Sequence, residues 1–232
     1  AIALAIDRRT LTQKITQDVY DSDTAMRGLF TWAFDPGAAL PPYDPAQAET
    51  LLARDGWIAG SDGVRIKNGR RLRVELAIPT GSSLTTRFAT AIAAAERTVG
   101  IEVDLHQYSR TQFIANDGPL IQGRYQMSLY DYQAAVDPDA SWMLACDQRA
   151  PHGFNVARYC NPAVDALLQR GAGSFDRTTR RAVYARVQRI VASDLPYAFI
   201  CQISEVDVIP NDLRGYGHPL LSPFTSVASW RR

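Results

Sequence analysis

Residues 72–105 constrain the fold more than any other stretch. Leu72-Arg73-Val74-Glu75-Leu76-Ala77-Ile78 alternates apolar and polar side chains and then turns wholly apolar, as a strand entering a buried sheet does. Pro79-Thr80-Gly81-Ser82-Ser83 ends it. An alanine-rich helix follows over about Arg87–Thr98. Gly100 separates that helix from a second strand, Ile101-Glu102-Val103-Asp104-Leu105. Strand, turn, helix, strand is a βαβ unit, whose two strands pair in parallel. The chain is therefore α/β. Ligands of parallel sheets sit beyond the carboxyl ends of the strands. That rule points to Thr80–Ser83 and Tyr108–Arg110 as the rim of a cleft.

The flanks are compatible with this. A helix is expected from Leu4 to about Gln17, with Leu4, Leu11, Ile15 and Val19 broadly at helical spacing. Asp18 to Pro42 is a long, irregular connection with Phe30, Trp32 and Phe34 set among glycines and prolines. Its rings are most simply read as pinning the loop to its own core, although long loops are often functional. Asp44-Pro45 opens a helix: Asp44 can cap free amides, and Pro45 at the first helical position loses no needed donor. Gly56 stops it. Val64–Arg70 reads as a hairpin, because Asn68-Gly69 suits a type I′ turn. Arg70, Arg71 and Arg73 read as a solvated strand face.

Further on, a helix-like segment over about Thr111–Leu120 leads to a strand over Tyr125–Tyr130. Asn161-Pro162 and Phe175-Asp176-Arg177 each begin a helix, and Asp194-Leu195-Pro196 ends the second. Tyr197–Ile203 and Glu205–Ile209 are strand candidates.

Composition narrows the function. Lys+Arg number 25 against Asp+Glu 24, for a formal net charge of +1, and no long basic run appears. Nucleic acid is therefore not an expected partner. No apolar stretch approaches the ~20 residues of a membrane span. The apolar start Ala1–Ile6 is short and runs into Asp7-Arg8-Arg9, like a helix entered partway. It does not read as a signal peptide. No nucleophile elbow, phosphate loop or dinucleotide fingerprint is present, so no enzyme activity, cofactor or metal is expected.

Most of the remaining chemistry lies in Tyr125–Cys160. Tyr130 and Tyr132 could stack on a ligand, or place one ring in a cleft and one in the core. Trp142 is a further stacking candidate. Asp137 and Asp139 read as caps around Pro138 rather than as catalytic acids. The chain has three cysteines, Cys146, Cys160 and Cys201. Spacing leaves open three buried thiols or a bridge, and cannot choose between them. A zinc site of Cys146, His152 and Cys160 is the less favoured alternative.

Several segments, taken in order, resemble the C-terminal part of the family 5 extracellular solute-binding proteins, the dipeptide- and oligopeptide-binding proteins of bacterial ABC importers. They are ALAIDRRTL, YDPAQAETLLARDGW, AAERTVGIEVDL, YQMSLYDYQAAVDPDASWMLAC, FNVARYCNPAVDALLQRG, DRTTRRAVYARVQRIVASDLPY and LRGYGHPLLSPF.

The resemblance implies a lobe of the type II periplasmic-binding-protein fold, a mixed sheet flanked by helices. Residues 1–17 would be a helix at the lobe crossing, 18–200 the second α/β lobe, and 201–232 a return segment toward the first lobe. It also implies a Cys146–Cys160 disulfide, with Cys201 free, and a periplasmic or membrane-anchored extracellular location. The expected partners are a peptide or similar small solute, the transporter permease and the first lobe of the same protein. Tyr130, Asp131, Tyr132, Gln133, Trp142 and Asn155 are the expected ligand-binding residues.

One position departs from the family. Peptide-binding members usually carry an aspartate three residues before the Asp-Pro step, and here that residue is Ala134. A sensor domain of the same fold is the alternative reading, and an α/β hydrolase a more distant one.

Overall fold

The computed structural model describes residues 1–232 except 23, 24, 134, 204–206, 218–223 and 225. The first helical stretch is two helices, α1 (Ile2–Ala5) and α2 (Arg8–Thr16). The single helix expected from Leu4 breaks at Ile6-Asp7, because the Asp7 carboxylate accepts from the Thr10 amide at 3.1 Å and starts α2 afresh. Next comes α3 (Ala25–Phe30). Helix α4 (Pro45–Arg54) begins where the sequence placed it, with Gln47 N–H donating to Asp44 at 2.9 Å.

Strands β1 (Ile58–Ala59), β2 (Arg65–Lys67) and β3 (Arg70–Arg71) form a small antiparallel sheet. Asn68 and Gly69 both have positive φ, 52° and 74°, as the expected two-residue turn requires. This sheet is tied to the parallel one by Arg65. Its amide donates to Gly100 O at 2.8 Å, and its Nε donates to Val99 O at 2.8 Å. Arg71 pairs with Asp62 and Glu102, and Arg73 with Asp104, on an exposed charged face.

The βαβ unit is present. Strand β4 (Arg73–Pro79), helix α5 (Ser83–Thr98) and strand β5 (Glu102–Tyr108) follow one another, and β4 pairs with β5 in parallel, Leu76 opposite Leu105. Helix α5 starts earlier than expected, since Ser82 accepts from the Thr85 amide at 3.2 Å. The segment expected as one helix over Thr111–Leu120 is two, α6 (Arg110–Ile114) and α7 (Pro119–Gln122). Pro119 cannot donate a helical hydrogen bond, so it opens a new helix instead of continuing the old one. Strand β6 is only Met127–Ser128, shorter than the expected Tyr125–Tyr130, and pairs in parallel with the other edge of β4. The sheet order is β5-β4-β6.

Three helices complete the described elements: α8 (Ser141–Leu144), α9 (Pro162–Ala172) and α10 (Arg177–Asp194). Asn161 and Asp176 cap the last two, as their sequences imply. Leu195, at φ 52°, ends α10. The strand expected over Tyr197–Ile203 does not form. Among the described residues it makes a single bridge, Gln202 to Asp21, and no further strand edge lies alongside it. Of the candidate Glu205–Ile209, residues 205 and 206 lie outside the described residues, and 207–209 are not in a strand.

The apolar interior falls into adjoining clusters. One joins α3, α8, α9 and α10 around Phe30, Met143, Leu168 and Tyr184. The connection expected to be irregular over Asp18–Pro42 in fact holds α3 and a 3-10 turn at Thr31–Ala33, and it belongs to this cluster, with Phe30 buried and Trp32 and Phe34 packed alongside. Buried Gln188 fixes that loop by donating to Ala33 O at 2.9 Å and accepting from the Asp35 amide at 2.9 Å. Two more clusters hold α1, α2, α4 and α5 onto the parallel sheet.

The contact of α9 with α10 depends on Gly171. A Cβ there would lie 2.6 Å from the ring of fully buried Tyr184. Gly171→Ala should therefore lower stability by about 2 kcal/mol. Gly173→Ala, whose Cβ would meet only Gln169 O at 3.3 Å, should cost less. Urea midpoints of the two variants test the difference.

Candidate functional site

At the carboxyl end of the parallel sheet the chain leaves β6. Leu129 N–H still donates to Ala77 O at 3.1 Å, and Tyr130–Gln133 then run off the sheet. Residues two apart in extended backbone share a face. Tyr130 and Tyr132 accordingly both turn inward. Tyr130 packs beside Ala77, Phe113, Leu120, Ala150 and Val156. Tyr132 packs on the helical cluster and meets Trp142 edge-on, with ring centroids 5.6 Å apart. The arrangement with one ring in a cleft and one in the core is not what forms; both rings are half-buried. Asp131 and Gln133 turn outward and are exposed. Asp131 lies 3.8 Å from Arg110, the first residue of α6.

Beneath this run lies a set of phenols. Tyr125 donates to Val156 O at 2.7 Å, and Tyr197 donates to Met143 O at 3.2 Å. The Tyr197 hydroxyl also accepts from the Ala157 amide at 3.4 Å. Burial is the main cause that pushes the Tyr130, Tyr132 and Tyr197 phenols up, Tyr197 to about 12. They stay protonated at neutral pH and serve as neutral hydrogen-bonding and stacking groups. Tyr197 was not among the candidates from sequence. It reaches the cluster from beyond α10, a long-range contact with no local signal.

The neighbouring loop is stapled. Cys146 and Cys160 form a disulfide, with Cα atoms 4.5 Å apart, and Cys201 is free. Within the loop Asn155 is 0% exposed. Its amide nitrogen donates to Ala145 O at 3.0 Å and Tyr159 O at 2.8 Å, and its oxygen accepts from Tyr159 N–H at 3.1 Å. Both donor hydrogens are thus used inside the chain, and the side chain presents nothing to solvent. Asn155 shapes the loop and does not face a cleft. The loop's outer surface carries exposed Phe154 instead.

The acidic pair divides its work. Asp139 accepts from the Ser141 amide at 3.0 Å, close to the capping role expected of it. Asp137 accepts from the Asp139 amide at 3.0 Å and forms an ion pair with Arg180, so it is not a helix cap. Arg180 holds its carboxyl below the usual range. Ser82 and Ser109, on the other rim, are spent capping α5 and α6. Position 134 lies outside the described residues. Among the described residues no His, Cys, Asp and Glu side chains gather in a group that could hold a metal ion. No described helix is long and apolar enough to cross a membrane.

Comparison with known proteins adds to this geometry. Residues 1–150 match the family model described as "Bacterial extracellular solute-binding proteins, family 5 Middle". Protein XP55 of Streptomyces lividans is 32% identical over 172 residues, 72% of this chain but 30% of that protein. Among solved structures, NikZ from Campylobacter jejuni in complex with Ni(L-His) superposes with a TM-score of 0.79 at 19% identity. That match covers 100% of this chain and 47% of NikZ. The oligopeptide-binding protein AppA from Bacillus subtilis, in complex with a nonapeptide, gives 0.78 at 18% identity, covering 99% of this chain and 46% of AppA. The fold is that of the type II periplasmic-binding proteins. The chain spans under half the length of these relatives.

Asn155→Ala should cost about 3 kcal/mol, since three backbone groups lose their partner around a buried side chain. Gln133→Ala should leave stability within about 0.5 kcal/mol. Thermal unfolding of the two variants side by side measures the contrast. Reducing the disulfide should cost about 3 kcal/mol by releasing loop entropy, read as a lowered urea midpoint in reductant.

Proposed function

The chain belongs to the bacterial extracellular solute-binding proteins of family 5, and from that premise we propose that it forms the second lobe of an ABC-importer receptor. Residues 1–17 are assigned to the crossing between lobes, 18–200 to the lobe itself and 201–232 to the return. The receptor closes about its hinge on a solute held between lobes and then docks on the permease. It works outside the cytoplasm, in a periplasm or anchored at the cell surface. The Cys146–Cys160 bridge supports an oxidising compartment.

The observation that carries this reading is the family match over residues 1–150, which includes the parallel sheet and the Tyr130–Gln133 run at its carboxyl edge. That run offers a charged and hydrogen-bonding surface on a rigid aromatic base. Asp131, Gln133 and Arg110 supply groups of both signs. Solved relatives hold ligands as different as Ni(L-His) and a nonapeptide. For this protein we assign a small polar solute, a peptide among them. Asp131 would meet a cationic group that Ala134 cannot.

Thermal-shift screening of the full-length protein against peptides, amino acids, sugars and nickel–histidine tests the reading. A true ligand at a hundredfold excess over its Kd should stabilise by about 2.7 kcal/mol. Asp131→Ala should weaken that ligand about tenfold or more without lowering the unliganded melting temperature. The 232-residue chain alone should bind it far more weakly. Equally tight binding by this chain alone would contradict a site shared between lobes.

A further inference from the structure

Helix α10 carries charges against its own dipole. Arg177, Arg180 and Arg181 stand at its start, and Asp194 is its last residue. The amino end of a helix favours acids and the carboxyl end favours bases. Asp176 caps α10 from outside it; the first turn itself holds no acid and the last turn no base. Both ends thus bear the unfavourable sign. These signs do not serve the helix, and each of the four side chains is turned to a partner in another segment.

At the amino end the partners lie just beyond the Tyr130–Gln133 run. Arg180 donates to both oxygens of Asp137, at 2.8 and 2.5 Å. Its guanidinium also lies over the Trp32 ring, 5.5 Å from the centroid, and Arg177 lies over the same ring at 4.5 Å. Arg181 donates to Trp32 O at 3.0 Å. Thr31, next to Trp32, is held at φ 44°, a strained conformation for a β-branched residue. Its hydroxyl donates to Val136 O at 3.1 Å. Val136 and Asp137 are thus gripped together by α10 and by the turn bolted to it. At the carboxyl end, Asp194 accepts from the Tyr159 hydroxyl at 2.5 Å and from the Asn161 side-chain amide at 2.8 Å. Those two residues flank Cys160, and Tyr159 exchanges backbone hydrogen bonds with the Asn155 side chain inside the stapled loop.

We propose that α10 is the brace of the candidate binding wall and that Arg180 and Asp194 are its positioning residues: Arg180 fixes the end of the Tyr130–Gln133 run, and Asp194 fixes the Cys146–Cys160 loop. The proposal rests on the reading that this wall takes a solute. Neither residue touches that solute. Arg180 acts through Asp137, and Asp194 acts through Tyr159 and Asn161. The two grips sit at opposite ends of one eighteen-residue helix, about 27 Å long, so a single rigid element sets the spacing of run and loop. A wall held in shape before the solute arrives loses less freedom on binding.

The test compares Asp137→Asn, Asp137→Glu, Arg180→Gln and Asp194→Asn in the full-length protein without ligand. Each should lower the melting temperature by no more than about 4 °C, since the Asp137 and Asp194 carboxylates are solvent-accessible. The ring-to-ring Overhauser effect between Tyr132 and Trp142 reports on the run. It should be lost in Asp137→Asn and Arg180→Gln and kept in Asp137→Glu, which retains the carboxylate, and in Asp194→Asn. Amide exchange at Asn155 and Tyr159 reports on the loop. It should quicken about tenfold in Asp194→Asn and stay unchanged in the Asp137 variants. Survival of the ring contact in Asp137→Asn would overturn the proposal. So would losses that follow melting temperature alone, with Asp137→Glu no better than Asp137→Asn. The exposed Asp137 keeps the test decisive even if Arg180→Gln fails to fold.

Calorimetry with trialanine and with nickel–histidine adds the functional arm. Whichever probe binds the wild type should bind Asp137→Asn and Asp194→Asn about tenfold more weakly, with Asp137→Glu close to wild type. Unchanged affinity in both asparagine variants would overturn the brace. Failure of the wild type to bind either probe would count against the solute reading. The ring contact and the amide exchange need no ligand, so they decide the brace by themselves.

Discussion

Strand β4 is the element on which the rest depends, because it is hydrogen-bonded along both edges. It pairs with β5 from Arg73 to Pro79, and with β6 at Leu76 and Ala77. A parallel pair cannot be closed by a tight turn, so each partner of β4 must be reached by a crossover. One crossover is α5; the other is the pair of short helices α6 and α7. Both return the chain to the same end of the sheet. The carboxyl ends of β4, β5 and β6 therefore lie together, and the segments leaving them form one edge. Tyr108–Arg110 and Tyr130–Gln133 are neighbours for that reason, and the 3.8 Å approach of Arg110 to Asp131 is its local expression.

What the sequence made legible is whatever is decided within a few residues. Asp44, Asn161 and Asp176 cap helices because each needs only an amide two or three residues ahead. Asn68-Gly69 makes its turn because two adjacent residues tolerate positive φ. The βαβ unit was readable because each of its pieces has its own pattern. Ends and lengths were less legible. Asp7 breaks a helix that periodicity would have continued, and Pro119 does the same between α6 and α7. Tyr197–Ile203 has the composition of a strand but, among the described residues, has no neighbouring edge to pair with beyond one bridge, a fact that no local pattern carries.

The candidate site divides along the same line. Its place at the sheet edge follows from topology, and the exposed Asp131 and Gln133 follow from alternation. The inward turn of both tyrosines depends on the apolar clusters beneath them, which bring together residues as distant as Ala77, Val156 and Tyr197. Asn155 is an expected contact residue only through the family resemblance, in which its loop faces the ligand. Its real partners are the backbone groups of Ala145 and Tyr159, which meet it only once the loop between Cys146 and Cys160 has closed. The result is a wall with rigid, neutral phenols behind and adaptable polar groups in front.

Asn155 and Glu96 are both wholly buried polar side chains, yet the fold treats them oppositely. The Asn155 amide is neutral, and three backbone groups within reach satisfy it, so its burial stabilises the loop. Glu96 buries an acid whose two oxygens find no donor among the described residues. Two other buried polar side chains do find partners: Gln188 reaches Ala33, Tyr184 and Asp35, and Arg65 reaches Val99 and Trp57. Glu96, with two oxygens unmet among the described residues, is the opposite case. Leucine at that position would pack without the desolvation cost, so the carboxylate is a poor choice for packing alone.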